Sequence, residues 1–182
     1  MSGRRYSGSE DDMVEDRQTA SVAIVSLIAD LTSDDGVVRV KARRELVSSG
    51  DEAVEPLIKA LADRNQWVRW EAAKALGQIG SPAATHALVK ALEDRMFDVR
   101  WLAAQGLVNI GSEAVIPVLK ALIERADSTW MREGAHHVLH DLARGELEEV
   151  LRPVLAALED VDSSVEVPLV AKAALSTLEH TA

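Results

Sequence analysis

Val68-Arg69-Trp70-Glu71-Ala72-Ala73-Lys74-Ala75-Leu76-Gly77-Gln78-Ile79-Gly80 decides the fold, because the chain says it more than once. The phrase returns as Val99-Arg100-Trp101 through Ile110-Gly111 and as Val38-Arg39-Val40 through Ser49-Gly50, with Met131-Arg132-Glu133 through Gly145 as a looser copy. The arginines Arg39, Arg69, Arg100 and Arg132 are 30, 31 and 32 residues apart. A period near 30 residues marks a repeat architecture, in which each unit buries its apolar face only by stacking on the next.

Each unit reads as two helices. In the second, the apolar positions counted from the arginine are −1, +3, +7 and +10: Val68, Ala72, Leu76 and Ile79, then Val99, Ala103, Leu107 and Ile110. At 100° per residue they cluster within about 80°, which defines a buried stripe. Gly50, Gly80 and Gly111 follow as C-terminal stops. The first helix is clearest over 51–63, where Val54, Leu57, Ile58 and Leu61 take the i, i+3, i+4, i+7 pattern, Asp51 is an N-cap candidate and Pro56 sits early. It recurs over 81–92, 112–123 and 146–158. The expected units are about 17–50, 51–80, 81–111, 112–145 and 146–181, forming a single domain over 17–182. The first and last are degenerate, as caps should be; in the last, Val165-Glu166 replaces Val-Arg. Residues 1–16 hold little that could be buried and are expected to form a disordered tail.

Composition excludes several classes. There is no cysteine, so disulfides, thiolate metal sites and cysteine nucleophiles are absent. With 20 basic against 30 acidic residues the formal net charge is −10, and the basic residues are spread one or two per unit. Such a surface disfavours nucleic acid. No apolar run approaches the ~20 residues that span a bilayer, and the N-terminal stretch has no apolar signal core, so a soluble cytoplasmic protein with no membrane contact is expected. No phosphate-binding glycine loop, nucleophile elbow or Ser/His/Asp constellation is readable, and no cofactor is implied.

The motif Asp63…Val68-Arg69…Ala72-Ala73…Ala75-Leu76-Gly77…Ile79-Gly80, followed by 83–92, resembles HEAT repeats, specifically the short HEAT-like repeat of phycobiliprotein lyases. The resemblance covers about residues 20–180 and implies an all-α, right-handed α-solenoid of about five helix pairs. It also implies that Asp63 with Arg69, and Asp94 with Arg100, form a structural ladder within and between units; Arg132 has Ala126 where the aspartate should be.

The same resemblance places the second helices on the concave surface, where such solenoids bind. Opposite the buried stripe lie positions −2, +1, +5 and +9. They collect all four tryptophans of the chain, Trp67, Trp70, Trp101 and Trp130, with Lys74, Gln105, Asn109, Glu133, His137 and Asp141. Large exposed aromatics beside polar groups are the material of interface hot spots, although tryptophan also fills grooves between repeats. His136 and His140 have the i, i+4 spacing that can place two imidazoles on one metal, but their register faces the terminal unit, so no metal is assigned. His137 instead points into the stripe between Glu133 and Asp141 as a ligand-contact candidate.

These readings favour a non-catalytic protein- or peptide-binding scaffold or adaptor, whose partner has some basic character to suit the acidic body. One rival is a lyase- or hydroxylase-type enzyme subunit acting on a chromophore or modified lysine. HEAT-like hydroxylases hold iron with His-Glu dipeptides, and none occurs here. Trp70, Trp101, Trp130 and Asp141 loosely resemble the residues with which a HEAT-like glycosylase grips DNA, but the charge balance opposes that use. The other rival is self-association.

Overall fold

The computed structural model describes residues 10–160 and 163–181. Among them the chain forms ten α-helices and no strand. The helices are α1 (Glu10–Asp30), α2 (Gly36–Ser48), α3 (Val54–Ala60), α4 (Gln66–Ile79), α5 (Thr85–Ala91), α6 (Phe97–Ile110), α7 (Val115–Glu124), α8 (Thr129–Leu142), α9 (Glu146–Glu159) and α10 (Ser163–Thr181). They pair as five hairpins stacked into an α-solenoid. Of the stretch expected to be a tail, residues 1–9 lie outside the described residues, whereas α1 begins at Glu10.

The second helices start and stop where local chemistry dictates. Asn65 Oδ1 accepts from the Trp67 amide at 2.9 Å and Asp35 Oδ1 from the Val37 amide at 2.8 Å, each satisfying a free N–H of a first turn. Gly80 ends α4 with φ 68°, a conformation costly for any residue with a Cβ. The first helices α3, α5 and α7 start three to four residues later than the expected bounds of 51, 81 and 112, whereas α9 begins at Glu146 as expected. A 3₁₀ turn (Gly50–Ala53, Pro82–Ala84, Ser112–Ala114) precedes α3, α5 and α7, so Asp51 lies within a turn instead of capping a helix. That turn carries the chain from one row of helices to the other.

The core runs unbroken through the hairpins, with Leu31, Leu46, Leu57, Leu76, Leu88, Leu107, Leu119, Leu139 and Leu151 fully buried. Positions +3 and +7 of the second helices are buried as expected, as is −1 in α4, α6 and α8, whereas Val38 at −1 of α2 is exposed near the end of the stack. Ile79 and Ile110 at +10, expected in the buried stripe, are only half-buried because they lie in the last turn of their helices. Ala73, Ala75, Gly77, Ala104 and Gly106 are also buried, because each second helix is sandwiched between its neighbours on both sides. The helices α2, α4, α6 and α8 pack in succession, and α4 meets α6 so closely that a Cβ on Gly77 would sit 3.0 Å from the Gly106 Cα.

The last hairpin departs from this order. The pattern expects α10 to continue the row of second helices, but α10 packs on α7 and α9, while α9 packs on α8. Lys120 of α7 pairs with Glu179 of α10 at 3.4 Å, and His136 of α8 lies 3.4 Å from Glu159 of α9. The cause is the link 143–145. It contains no 3₁₀ turn, so α9 starts directly beside α8 and α10 has to return to the first-helix row.

Candidate functional site

The four repeat arginines set the frame on which the stripe is built. Each donates Nη1 to the backbone carbonyl six residues earlier: Arg39 to Ser33 (2.7 Å), Arg69 to Asp63 (3.0 Å), Arg100 to Asp94 (2.9 Å) and Arg132 to Ala126 (2.5 Å). Within a unit, the aspartate meets the arginine through its backbone carbonyl, which any residue can offer. The aspartate carboxylates do other work. Asp63 Oδ1 accepts from the Asn65 amide at 2.7 Å and Asp94 Oδ1 from the Met96 amide at 2.8 Å, closing the turn between helices. Across units, Arg69 grips Asp94 with two bonds, Nε to Oδ2 at 2.6 Å and Nη2 to Oδ1 at 3.1 Å, with side chains only 6% and 11% exposed.

Where that bond between units is not made, tryptophan lies over the guanidinium. Arg100, whose next unit offers Ala126, lies with its guanidinium carbon 4.6 Å from the Trp130 ring centroid and 5.6 Å from Phe97. Arg39 lies 5.1 Å from Trp67, with Nε 3.9 Å from the buried Glu71, which also accepts from Arg43 Nε at 2.8 Å. Trp67 and Trp130 thus sit on the arginine of the preceding unit, a cation–π arrangement that fixes the ring. They are partly packing residues, yet 49% and 43% of each stays exposed.

Trp101 and Trp70 face outward differently. Trp101 stacks on His137 of the following unit, with centroids 4.6 Å apart and planes tilted by 34°, and is 48% exposed. Trp70 is half-buried beneath the Lys74 ammonium, 4.6 Å from its ring centre. His137 does not engage the carboxylates expected to flank it. Its Nε2 is buried without a hydrogen-bond partner, Glu133 is exposed, and Asp141 lies 3.3 Å from His140 Nδ1 instead. Asn109 donates Nδ2 to the Gly77 carbonyl at 3.0 Å, tying α6 to α4, and Gln105 is half-buried beside it in register. The stripe is therefore a set of rings clamped by cations and an imidazole, running from α4 over α6 to α8.

His136 and His140 stack 5.9 Å apart at the junction with α9. No group of three or more His, Asp or Glu that could hold a metal is found among the described residues. No helix among them is long and apolar enough to cross a membrane. Phe97, exposed beside Arg100, belongs to the same surface and escaped the sequence reading, because position −3 lies outside the stripe as drawn.

The family model for HEAT repeats matches residues 24–96 and 85–179. This chain belongs to the HEAT-repeat family. Its solenoid is similar to a chain in the complex of CpcE and CpcF of phycocyanin lyase from Nostoc, at 24% identity over 84% of this chain and 98% of that one, with a TM-score of 0.57. Looser likeness extends to an engineered protein (24% identity, 96% and 93% covered, TM-score 0.45) and to a designed armadillo repeat protein in complex with the peptide (KR)4 (22%, 86% and 87%, 0.44). No curated protein matches the sequence. The repeat arginines bond the turns before them and small residues line the contact between α4 and α6, while Trp67, Trp101 and Trp130 stay nearly half exposed.

Proposed function

We propose that this HEAT-repeat chain is a non-catalytic binding module that takes a protein or peptide partner on the second-helix face of α4, α6 and α8. The observation that carries this reading is that Trp67, Trp101 and Trp130 each leave nearly half of a ring exposed while Arg39, His137 and Arg100 hold that ring in place. A pre-fixed aromatic loses little freedom on association, so its buried area converts to affinity more fully than that of a mobile side chain. The cations Arg39, Arg100 and Lys74 are already engaged by rings, whereas Asp98 and Glu133 are exposed on the same helices. That balance favours a partner segment carrying aliphatic or aromatic anchors with some basic residues.

A photo-crosslinking residue in place of Gln105 or Glu133 tests the reading, with the same probe at exposed Glu113 as the control. One protein is expected to be captured at the stripe and not at Glu113, and purified partner should bind Trp101→Ala about thirtyfold more weakly. Capture of the chain itself alone would establish self-association. A tightly held pigment, or turnover of a modified lysine, would establish the enzymatic alternative and overturn the binding-module reading.

A further inference from the structure

A groove of about 870 Å³ lies away from the tryptophan stripe, along the edge formed by the turns between first and second helices. Its apolar floor is Ile58 and Leu61 at the end of α3 with Ala87 and Ala91 of α5. The rim carries Arg64, Lys90, Arg95 and Arg125, contributed by successive repeats. Arg95 donates to the Arg64 carbonyl at 3.1 Å, so neighbouring turns are held in register.

The charge here runs against that of the molecule. Five of the lining residues are basic and three acidic, on a chain of net charge −10. Two of those three are already committed: Asp94 to Arg69, and Glu93 to Arg125 at 3.1 Å and to the Ser128 hydroxyl. The exposed Arg64, Lys90 and Arg95 form no ion pair among the described residues, and only Asp63 remains to oppose them. Packed helices in neighbouring hairpins are about 8–10 Å apart, and carboxylates two residues apart share one face of an extended segment about 6.6 Å from each other. Arg64 and Arg95, equivalent residues one repeat apart on long side chains, can thus both be met by alternate carboxylates of an extended segment.

We propose that this groove is a second docking site, independent of the tryptophan stripe, for an extended acidic segment of a partner protein. Its carboxylates meet Arg64, Lys90 and Arg95, and its apolar side chains lie on the floor between α3 and α5. The apolar floor and the Asp63 carboxylate suit a peptide better than a sugar–phosphate chain, which the −10 body also repels at longer range.

The test is fluorescence anisotropy of the full chain with a labelled peptide alternating Glu and Leu. The same peptide with Gln for Glu, and a single-stranded oligodeoxynucleotide of equal charge, are the comparisons. The Glu peptide is expected to bind most tightly, to weaken as salt rises, and to lose about tenfold in affinity for Arg64→Glu/Arg95→Glu. Both substitutions are at exposed positions, and an unchanged far-ultraviolet dichroism and melting curve would show the variant folded. Trp101→Ala should leave this affinity unchanged while weakening the stripe partner, which separates failure here from failure of the stripe. Equal binding of the Gln peptide, equal binding by the charge-reversed variant, or tighter binding of the oligonucleotide would each overturn the proposal.

Discussion

At the scale of single residues, Asp63 and Asp94 occupy the same place in the sequence repeat and do different amounts of work. Each caps the turn two residues on, but only Asp94 also receives the guanidinium of the preceding repeat. Asp63→Ala should therefore cost about 1 kcal/mol, the value of a lost side-chain cap. Asp94→Ala removes a cap and leaves the Arg69 guanidinium buried without its carboxylate, and should cost about 3 kcal/mol. Urea midpoints of the two variants check this; equal shifts would mean the bridge between repeats contributes nothing. The sequence shows the six-residue spacing plainly, but it cannot show that the contact is made by a carbonyl, because every residue carries one. That is why Ala126 before Arg132 looked like a missing rung, although Arg132 makes the same bond as the others. The tryptophans raise the same difficulty: periodicity places them on one face, but only geometry reveals that Trp67 and Trp130 lie over arginines.

At the scale of helices, the closest approach in the row is α4 against α6 at Gly77 and Gly106. Alanine would ordinarily improve a helix interior by about 1 kcal/mol over glycine. Here a Cβ at Gly77 meets the Gly106 Cα at 3.0 Å, and that atom belongs to the backbone of a packed helix that yields only if the two repeats part. Gly77→Ala should thus destabilise by about 1–2 kcal/mol net of the propensity gain, read as a lower thermal midpoint. A raised midpoint would show that the helices separate freely. The second helices are legible as elements because the apolar period recurs in each and a glycine follows α2, α4 and α6; their N-caps vary, from Asp35, Asn65 and Ser128 to Met96, which makes no side-chain cap bond. The sequence places the start of the helix over 51–63 too early because Asp51 has the chemistry of an N-cap, and a 3₁₀ turn of four residues carries no periodic signal that separates it from the first turn of an α-helix.

At the scale of the whole molecule, one residue per repeat in the sequence becomes a column in space. Basic residues that read as dispersed along the chain, Arg64, Lys90 and Arg95 among them, meet at one groove because the period of the sequence is also the step of the solenoid. The end of the stack follows a different rule. With no 3₁₀ turn after α8, α9 continues the second-helix row and α10 closes the first-helix row, so the tryptophan face is bounded by α9. Carbodiimide cross-linking reads this arrangement directly, since it joins an amine to a carboxylate only where they already touch. The Lys120 ammonium is 3.4 Å from the Glu179 carboxylate, on α7 and α10, so that pair should yield a cross-linked peptide in the intact monomer. Regular stacking would instead set α10 beside α8 and bring Lys172 within reach of Glu133 or Asp141. Recovery of a Lys172 link to either of those, without the Lys120–Glu179 link, would show that α10 continues the second-helix row and that the binding face extends over a fifth repeat.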